Sequence, residues 1–216
     1  MHLPGQTRDT NAAVHIVRDL RGDALGDLEA PPTAPVGLYP EIILLVASHL
    51  NDDNAPSATP FFDLWELILN HWFPSSEGYQ IEYMWSIPYL EDREGAEKIT
   101  FVVLKPDSKP LVLLQVSAPR DFHNDHTRAA ADALTMSQFD HVAPYCHYEH
   151  SLCAIAAMGK KWTAFQRSPN LTAHEIRNLG VGDEQRIEWM DDIVSEPSYE
   201  MLECFFASLK ESVRGL

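Results

Sequence analysis

Basic residues are scarce in this sequence. Sixteen Lys and Arg stand against 32 Asp and Glu, a formal net charge of −16, and nowhere do the cations gather into a run. Binding to phosphate backbones is driven largely by Lys and Arg displacing counterions, so a general, sequence-blind nucleic-acid binder is not expected. Cysteine is scarce too. Cys146, Cys153 and Cys204 form an odd set without repeated spacing, which reads as thiols in a reducing compartment rather than a disulfide framework. No apolar run approaches the roughly 20 residues that cross a bilayer. The N-terminus MHLPGQTRDTNAAVHIVRDL lacks the basic start and apolar stretch of a signal peptide. An intracellular protein, cytoplasmic or nuclear and without a membrane partner, is expected. Also missing are G-x-S-x-G, a Walker-type loop, a dinucleotide fingerprint and C-x-x-C, and with them several common chemistries.

What is present is an ordinary globular composition. The 216 residues are 45% hydrophobic and 22% charged, enough for one sizeable core but cramped for two. Residues 1–37 are polar and turn-rich, closing on APPTAPVG, and read as an arm, poorly structured or draped, with a short helix near 14–20. Residues 38–216 read as a single domain. Pro40 opens a helix in EIILLVASHL. A second helix follows in FFDLWELILNHWF, where Phe61, Leu64, Trp65, Ile68, Leu69 and Trp72 form one apolar face.

YQIEYMWSIP alternates as a strand, with Ile81, Tyr83, Trp85 and Ile87 on one face and Glu82, Met84 and Ser86 on the other. The pattern predicts a central position for this strand. ITFVVL, the turn KPDSKP and LVLLQV predict an antiparallel hairpin whose second strand is covered on both sides. HTRAAADALTMSQFDHV predicts a helix, SLCAIAAM and KWTAFQR two strands about Gly159, and IEW a short edge strand. Ser195 caps a closing helix with a stripe of Met201, Leu202, Phe205, Phe206 and Leu209. The expectation is α/β, a mixed central sheet with helices on both faces.

This order resembles the αβββαβ core of the PD-(D/E)XK, or restriction-endonuclease-like, superfamily. KITFVVLKPDSKPLVLLQVSAP is similar to its hairpin, in which an Asp begins one strand and (D/E)-x-K ends the next. ADALTMSQFDHV is similar to the next helix in fungal proteins of the group, where A-D-x-Q opens the helix and an aromatic-Asp pair ends it. LCAIAAMGKKWTAF is similar to the strand-Gly-strand that follows. The resemblance covers roughly residues 60–167. It implies that the Asp position is Thr100, the (D/E) position Gln115, the Lys position Ser117 and the helix Gln position Leu134. Asp132 and Asp140 match the remainder. Such nucleases hold a divalent cation between two carboxylates while a Lys aids the attacking water. Neutral oxygens at Thr100 and Gln115 supply no compensating charge, and Ser117 is no ammonium.

Other acids are candidates for a relocated site. Glu66 and Glu82 lie on elements that supply acids in related nucleases, Asp107 sits in the hairpin turn, and Asp121 and Asp125 follow the third strand. The plainer reading of each is a solvated carboxylate, although Glu82 between Ile81 and Tyr83 has the stronger functional reading. His123 and His126 flank Asp125 in H-N-D-H at the rim of the expected cleft, as acid-base groups or as a helix start capped by Asp125. Cys146, His147, His150 and Cys153 are ligand types at a spacing unlike standard zinc sites, and no metal is expected there. Tyr83, Trp85 and Trp162 read as stacking residues or as core. Trp85, Arg120 and Asp125 are candidate cleft-binding residues.

Three functions remain open. The first is a catalytically degenerate nuclease-like domain that keeps its cleft for a small ligand or a protein and needs no cofactor. The second is an enzyme in that cleft, either a nuclease with relocated carboxylates and Mg²⁺, or other small-molecule chemistry on Glu82, Gln115, His123 and His126. The third is an acidic protein-interaction module.

Overall fold

The computed structural model describes residues 38–51, 55–87, 98–105, 108–146, 152–167 and 184–214. The expected arm 1–37, Asp107, His147 and His150 lie outside them. The first helix, α1 (Glu41–His49), begins after Pro40 with Glu41 in its first turn, where a carboxylate meets the positive end of the helix dipole. A 3₁₀ turn (Thr59–Phe61) leads into α2 (Phe62–Trp72), then β1 (Gln80–Ser86), β2 (Lys98–Leu104) and β3 (Pro110–Ser117). The 3₁₀ segment Pro119–His123 precedes α3 (Asp125–Val142), followed by β4 (Leu152–Met158), β5 (Lys161–Arg167), β6 (Glu184–Met190) and α4 (Glu196–Arg214).

The strands form one mixed sheet in the order β1-β2-β3-β4-β5-β6. All neighbours are antiparallel except β3 and β4. The hairpin pairs Phe101 with Leu114 and Val102 with Leu113, as its short connection requires. A parallel pair needs a crossover, and α3 supplies it. The sheet is therefore covered on both faces. Leu114, Val116, Ile155 and Trp162 pack beneath α1, α2 and α4. Leu113, Ala154, Ala156 and Phe165 pack with Phe139 and Val142 of α3. Burying a large apolar side chain stabilises by roughly 1.5–3 kcal/mol, so the two layers carry the fold. Two indoles aim the helices. Trp65 Nε1 donates to the Gly159 carbonyl at 2.9 Å, and Trp162 Nε1 donates to Ser198 Oγ at 3.1 Å. Gly159 turns the chain between β4 and β5 at φ 66, a conformation open to glycine without steric cost.

Four expectations need correction. The strand β1 is an edge of the sheet, not a central strand. Its alternation also breaks at Met84, which takes φ 50. Ile81 and Tyr83 consequently face the α1–α2–α4 layer, with Tyr83 against Phe62 and Phe101. Trp85 and Ile87 turn to the α3 side. The expected IEW strand is longer and spans all of Glu184–Met190. Met201 is exposed, while Leu202, Phe205, Phe206 and Leu209 form the buried stripe of α4. Its position on the helix falls just outside the arc that meets the core.

A left-handed backbone costs an L-residue about 1–2 kcal/mol. Met84→Val, which adds β-branching at φ 50, is expected to lower stability by about 1–2 kcal/mol. Met84→Gly is expected to stay within about 1 kcal/mol of the parent, relief of strain offsetting glycine's entropy. Urea melts of the two variants measure the difference.

On the outer side of α2, His71 stands edge-on to Tyr39 at 5.5 Å and to Trp72 at 5.0 Å, with Tyr199 at 6.4 Å. Burial, with the nearby Lys210 charge adding to it, lowers the His71 pKa below its ordinary value. The unfolded chain therefore binds the proton more readily than the folded one. This contribution to stability is present above the unfolded pKa, near 6.5, and is lost as pH falls toward the lower folded value. Lowering pH from 7 to 5 is expected to destabilise the parent more than His71→Gln in paired melts.

Candidate functional site

The crossover places α3 over β3 and β4, and its start is built locally. Asn124 Oδ1 accepts the His126 backbone N–H at 2.9 Å, so Asn124 is the cap and Asp125, expected in that role, lies in the first helical turn. Asp125 pairs with Arg128 one turn on, as helical spacing allows. Arg128 Nη1 also donates to the Phe122 carbonyl at 2.7 Å, and its guanidinium lies 5.0 Å from the centre of the Phe122 ring. Lys161 Nζ approaches the same ring at 5.2 Å.

Cross-strand register sorts the α3 side of the sheet into rows. Leu113, Ala154 and Phe165 make an apolar row. The next row is Gln115, Ala156 and Thr163, and beyond it lie Ser117, Met158 and Lys161. At the far end of the middle row the register of β5 and β6 shifts between Trp162 and Ala164. Trp189 comes from this stretch of β6, packs on the α3 side and meets Phe122 edge-on at 5.4 Å.

The helix answers this pattern. Phe139 and Val142 join the apolar cluster, while the buried Gln138 donates its amide to Gln115 Oε1 at 3.4 Å. One turn earlier, Thr135 is 1% exposed and Gln138 itself only 2%. Thr135 Oγ1, Gln138 Oε1 and Trp189 Nε1 are buried without a hydrogen-bond partner. An unsatisfied buried polar group costs about 1–3 kcal/mol and calls for a bound water, an ion or a functional role.

The residues singled out in the sequence are distributed around this layer. Thr100 is buried, and its Oγ1 accepts the Val116 backbone N–H at 3.1 Å. Gln115 and Ser117 are partly buried neighbours on β3, and Leu134 lies on α3 next to Thr135, partly buried. Asp132 is partly buried on α3, and Asp140 is exposed. Glu82 is exposed on β1 and faces Val102, itself opposite Leu113. Two strand spacings and a two-residue shift separate its backbone from that of Gln115, about 12 Å. The structure does not bring them together. His123, His126 and Arg120 are exposed at the α3 start, and Arg120 Nε pairs with Asp121 at 3.6 Å. Glu66 is partly buried on α2.

Cys146 belongs to the α3-side cluster and Cys153 to the opposite one, so they do not share a site. Among the described residues no group of three or more His, Cys, Asp or Glu is placed to hold a metal ion. Trp162 is fully buried under α4, and Tyr83 and Trp85 lie on opposite faces, so the three aromatics do not form one platform. Sequence reasoning missed Thr135, Gln138, Phe122 and Trp189. The signal was present on α3, where Thr135 and Gln138 share the helical face of Ala131, Phe139 and Val142, core positions that normally exclude polar side chains.

Together these features define a mixed α/β domain with a six-stranded sheet and a polar layer beneath its crossover helix. No family model, curated protein or solved structure matches the chain. No helix among the described residues is long and apolar enough to cross a membrane.

Removing the Thr100 hydroxyl leaves the Val116 N–H unsatisfied in the core. Thr100→Val is expected to cost about 1–3 kcal/mol, and Thr100→Ser to recover most of it. Chemical denaturation of both variants checks the role.

Proposed function

We propose that this chain is a PD-(D/E)XK-like domain that has lost phosphodiester hydrolysis and uses the α3 side of its sheet to bind a ligand. The observation that carries the reading is the Gln115–Gln138 amide pair. The position that the resemblance assigns to a metal-binding carboxylate holds a neutral side chain engaged with the crossover helix. Thr100, at the other carboxylate position, spends its oxygen on the β3 backbone, and Ser117 stands where an ammonium would. Amides and hydroxyls orient a ligand through hydrogen bonds but do not offset the charge of a divalent cation.

The element order, the antiparallel hairpin and the crossover helix support the family reading, and the unpaired polar atoms above the same row support binding. A net charge of −16 opposes long phosphate backbones as occupants. The occupant that fits is a small molecule or a short segment of a protein.

Purified protein is expected to leave single- and double-stranded DNA and RNA intact with Mg²⁺ or Mn²⁺ at neutral pH. Gln115→Ala and Glu82→Ala preparations, run in parallel, identify a contaminating nuclease. Metal-dependent cleavage by the parent that disappears in either variant would overturn the reading in favour of relocated carboxylates.

A further inference from the structure

We infer that the open edge of β1, from Gln80 to Tyr83, takes an extended segment of a basic partner protein, added to the sheet as a further strand. The surface lies outside the layer beneath α3, and the inference does not rest on the binding reading above.

β1 ends the sheet, and among the described residues β2 is its one strand neighbour. An edge strand presents backbone N–H and C=O groups along its open side, and an extended chain laid beside it satisfies them. Met84 sets the usable length. Gln80, Ile81, Glu82 and Tyr83 pair in order with Leu104, Val103, Val102 and Phe101. At Met84 the backbone takes φ 50 and the ladder is interrupted. The residues before it keep the geometry that a new strand needs.

The two sides of this edge differ in chemistry. On the α2 side Tyr83 is 42% exposed, although its ring meets Phe62 at 5.6 Å and Phe101 at 5.4 Å. Phe62 meets Phe101 in turn at 6.1 Å, and Phe62 and Ile81 are only partly buried. The three rings brace one another, so Tyr83 is held at the rim with part of its surface in water. Anchored aromatics of this kind dominate many protein contacts. On the α3 side the edge shows Glu82, exposed and opposite Val102. Among the described residues Glu82 forms no ion pair, and Lys98 pairs with Ser86, beyond Met84.

Strand alternation converts these two sides into a partner. Side chains of an added strand, about 4.8 Å from β1, point alternately to the two faces of the sheet. One set meets Phe62 and Tyr83 and must be apolar. The other meets Glu82 and must be cationic. Charge selects against the alternative occupant, a second copy of this chain. Each copy carries a formal net charge of −16, and an edge-to-edge pair sets one Glu82 near the other, a destabilising cross-strand arrangement.

The probe is a labelled, capped peptide alternating Lys and Val, titrated into the full chain and followed by fluorescence anisotropy. A peptide alternating Glu and Val is the charge control. The Lys peptide is expected to bind saturably, and the Glu peptide about tenfold more weakly. Glu82→Lys is expected to reverse that order, and Tyr83→Ser to weaken the Lys peptide about tenfold. Both side chains are exposed, and circular dichroism checks that each variant folds. Backbone parity separates strand addition from adsorption. Only alternate amides of an added strand face its neighbour. N-methylation of one alternate set in the Lys peptide is therefore expected to abolish binding, and methylation of the other set to leave it.

No saturable response to the Lys peptide overturns the inference. Equal affinity for the two peptides, or an unchanged preference in Glu82→Lys, overturns the basic partner. Loss of binding with both methylated sets, or with neither, overturns strand addition. Parent-like affinity in Tyr83→Ser moves the peptide off this edge, and the inference fails. A dimer of the full chain that Tyr83→Ser disperses in sedimentation equilibrium makes the second copy the occupant and overturns the choice of partner.

Discussion

The parallel pairing of β3 with β4 is the constraint on which the rest depends. Two parallel neighbours cannot be joined by a tight turn, so the chain must leave the end of β3, cross a face of the sheet and return to the start of β4. The crossing is α3. Once α3 lies on that face, both faces of β3 and β4 are closed to water, and every side chain on the inner face of the helix must be apolar or partnered. Val142 and Phe139 satisfy the rule by packing on Leu113 and Ala154. Gln138 satisfies it in part through Gln115, and Thr135 does not satisfy it at all.

This departure has an energetic meaning. Orphaned polar atoms such as Thr135 Oγ1, Gln138 Oε1 and Trp189 Nε1, at about 1–3 kcal/mol each, are a large fraction of the roughly 5–15 kcal/mol that separates a folded domain from its unfolded chain. The rest of the core compensates. Trp65 and Trp162 fasten α2 and α4 to the β4–β5 region from the other side, and the apolar clusters on the two faces are continuous through β3, β4 and β5. Strands below and a packed helix above hold the polar groups of this layer in place.

The exposed acids occupy a different part of the molecule's physics. Glu82 on the β1 edge and Asp125 at the α3 start are solvated, where charge discourages edge-to-edge strand pairing and suits a helix N-terminus. The kink at Met84 also blunts the β1 edge by sending Tyr83 and Trp85 to opposite faces. Not every described acid is solvated, since Asp132 on α3 keeps one carboxylate oxygen buried. The buried layer under α3 is built mainly from neutral dipoles.

Local patterns were sufficient for most elements. The spacing of Phe61, Leu64, Trp65, Ile68 and Leu69 defines the buried face of α2, the unbroken apolar run in LVLLQV marks a strand covered on both sides, and the short turn before it forces an antiparallel hairpin. Periodicity and turn length act over a few residues, so they are legible in order along the chain. The edge position of β1, the flip at Met84 and the pairing of Gln115 with Gln138 were not. Alternation assumes an unbroken strand, and one left-handed residue reverses every face beyond it. Contacts between residues 115 and 138, or between Phe122 and Trp189, depend on which strands become neighbours. That is decided by how the whole sheet closes its apolar faces, a balance among distant segments that no local window contains. The sequence by itself determined the elements, their order and the excess of negative charge. Only the tertiary structure decided which polar side chains would be buried together, because burial is a property of the packed layers and not of any residue alone.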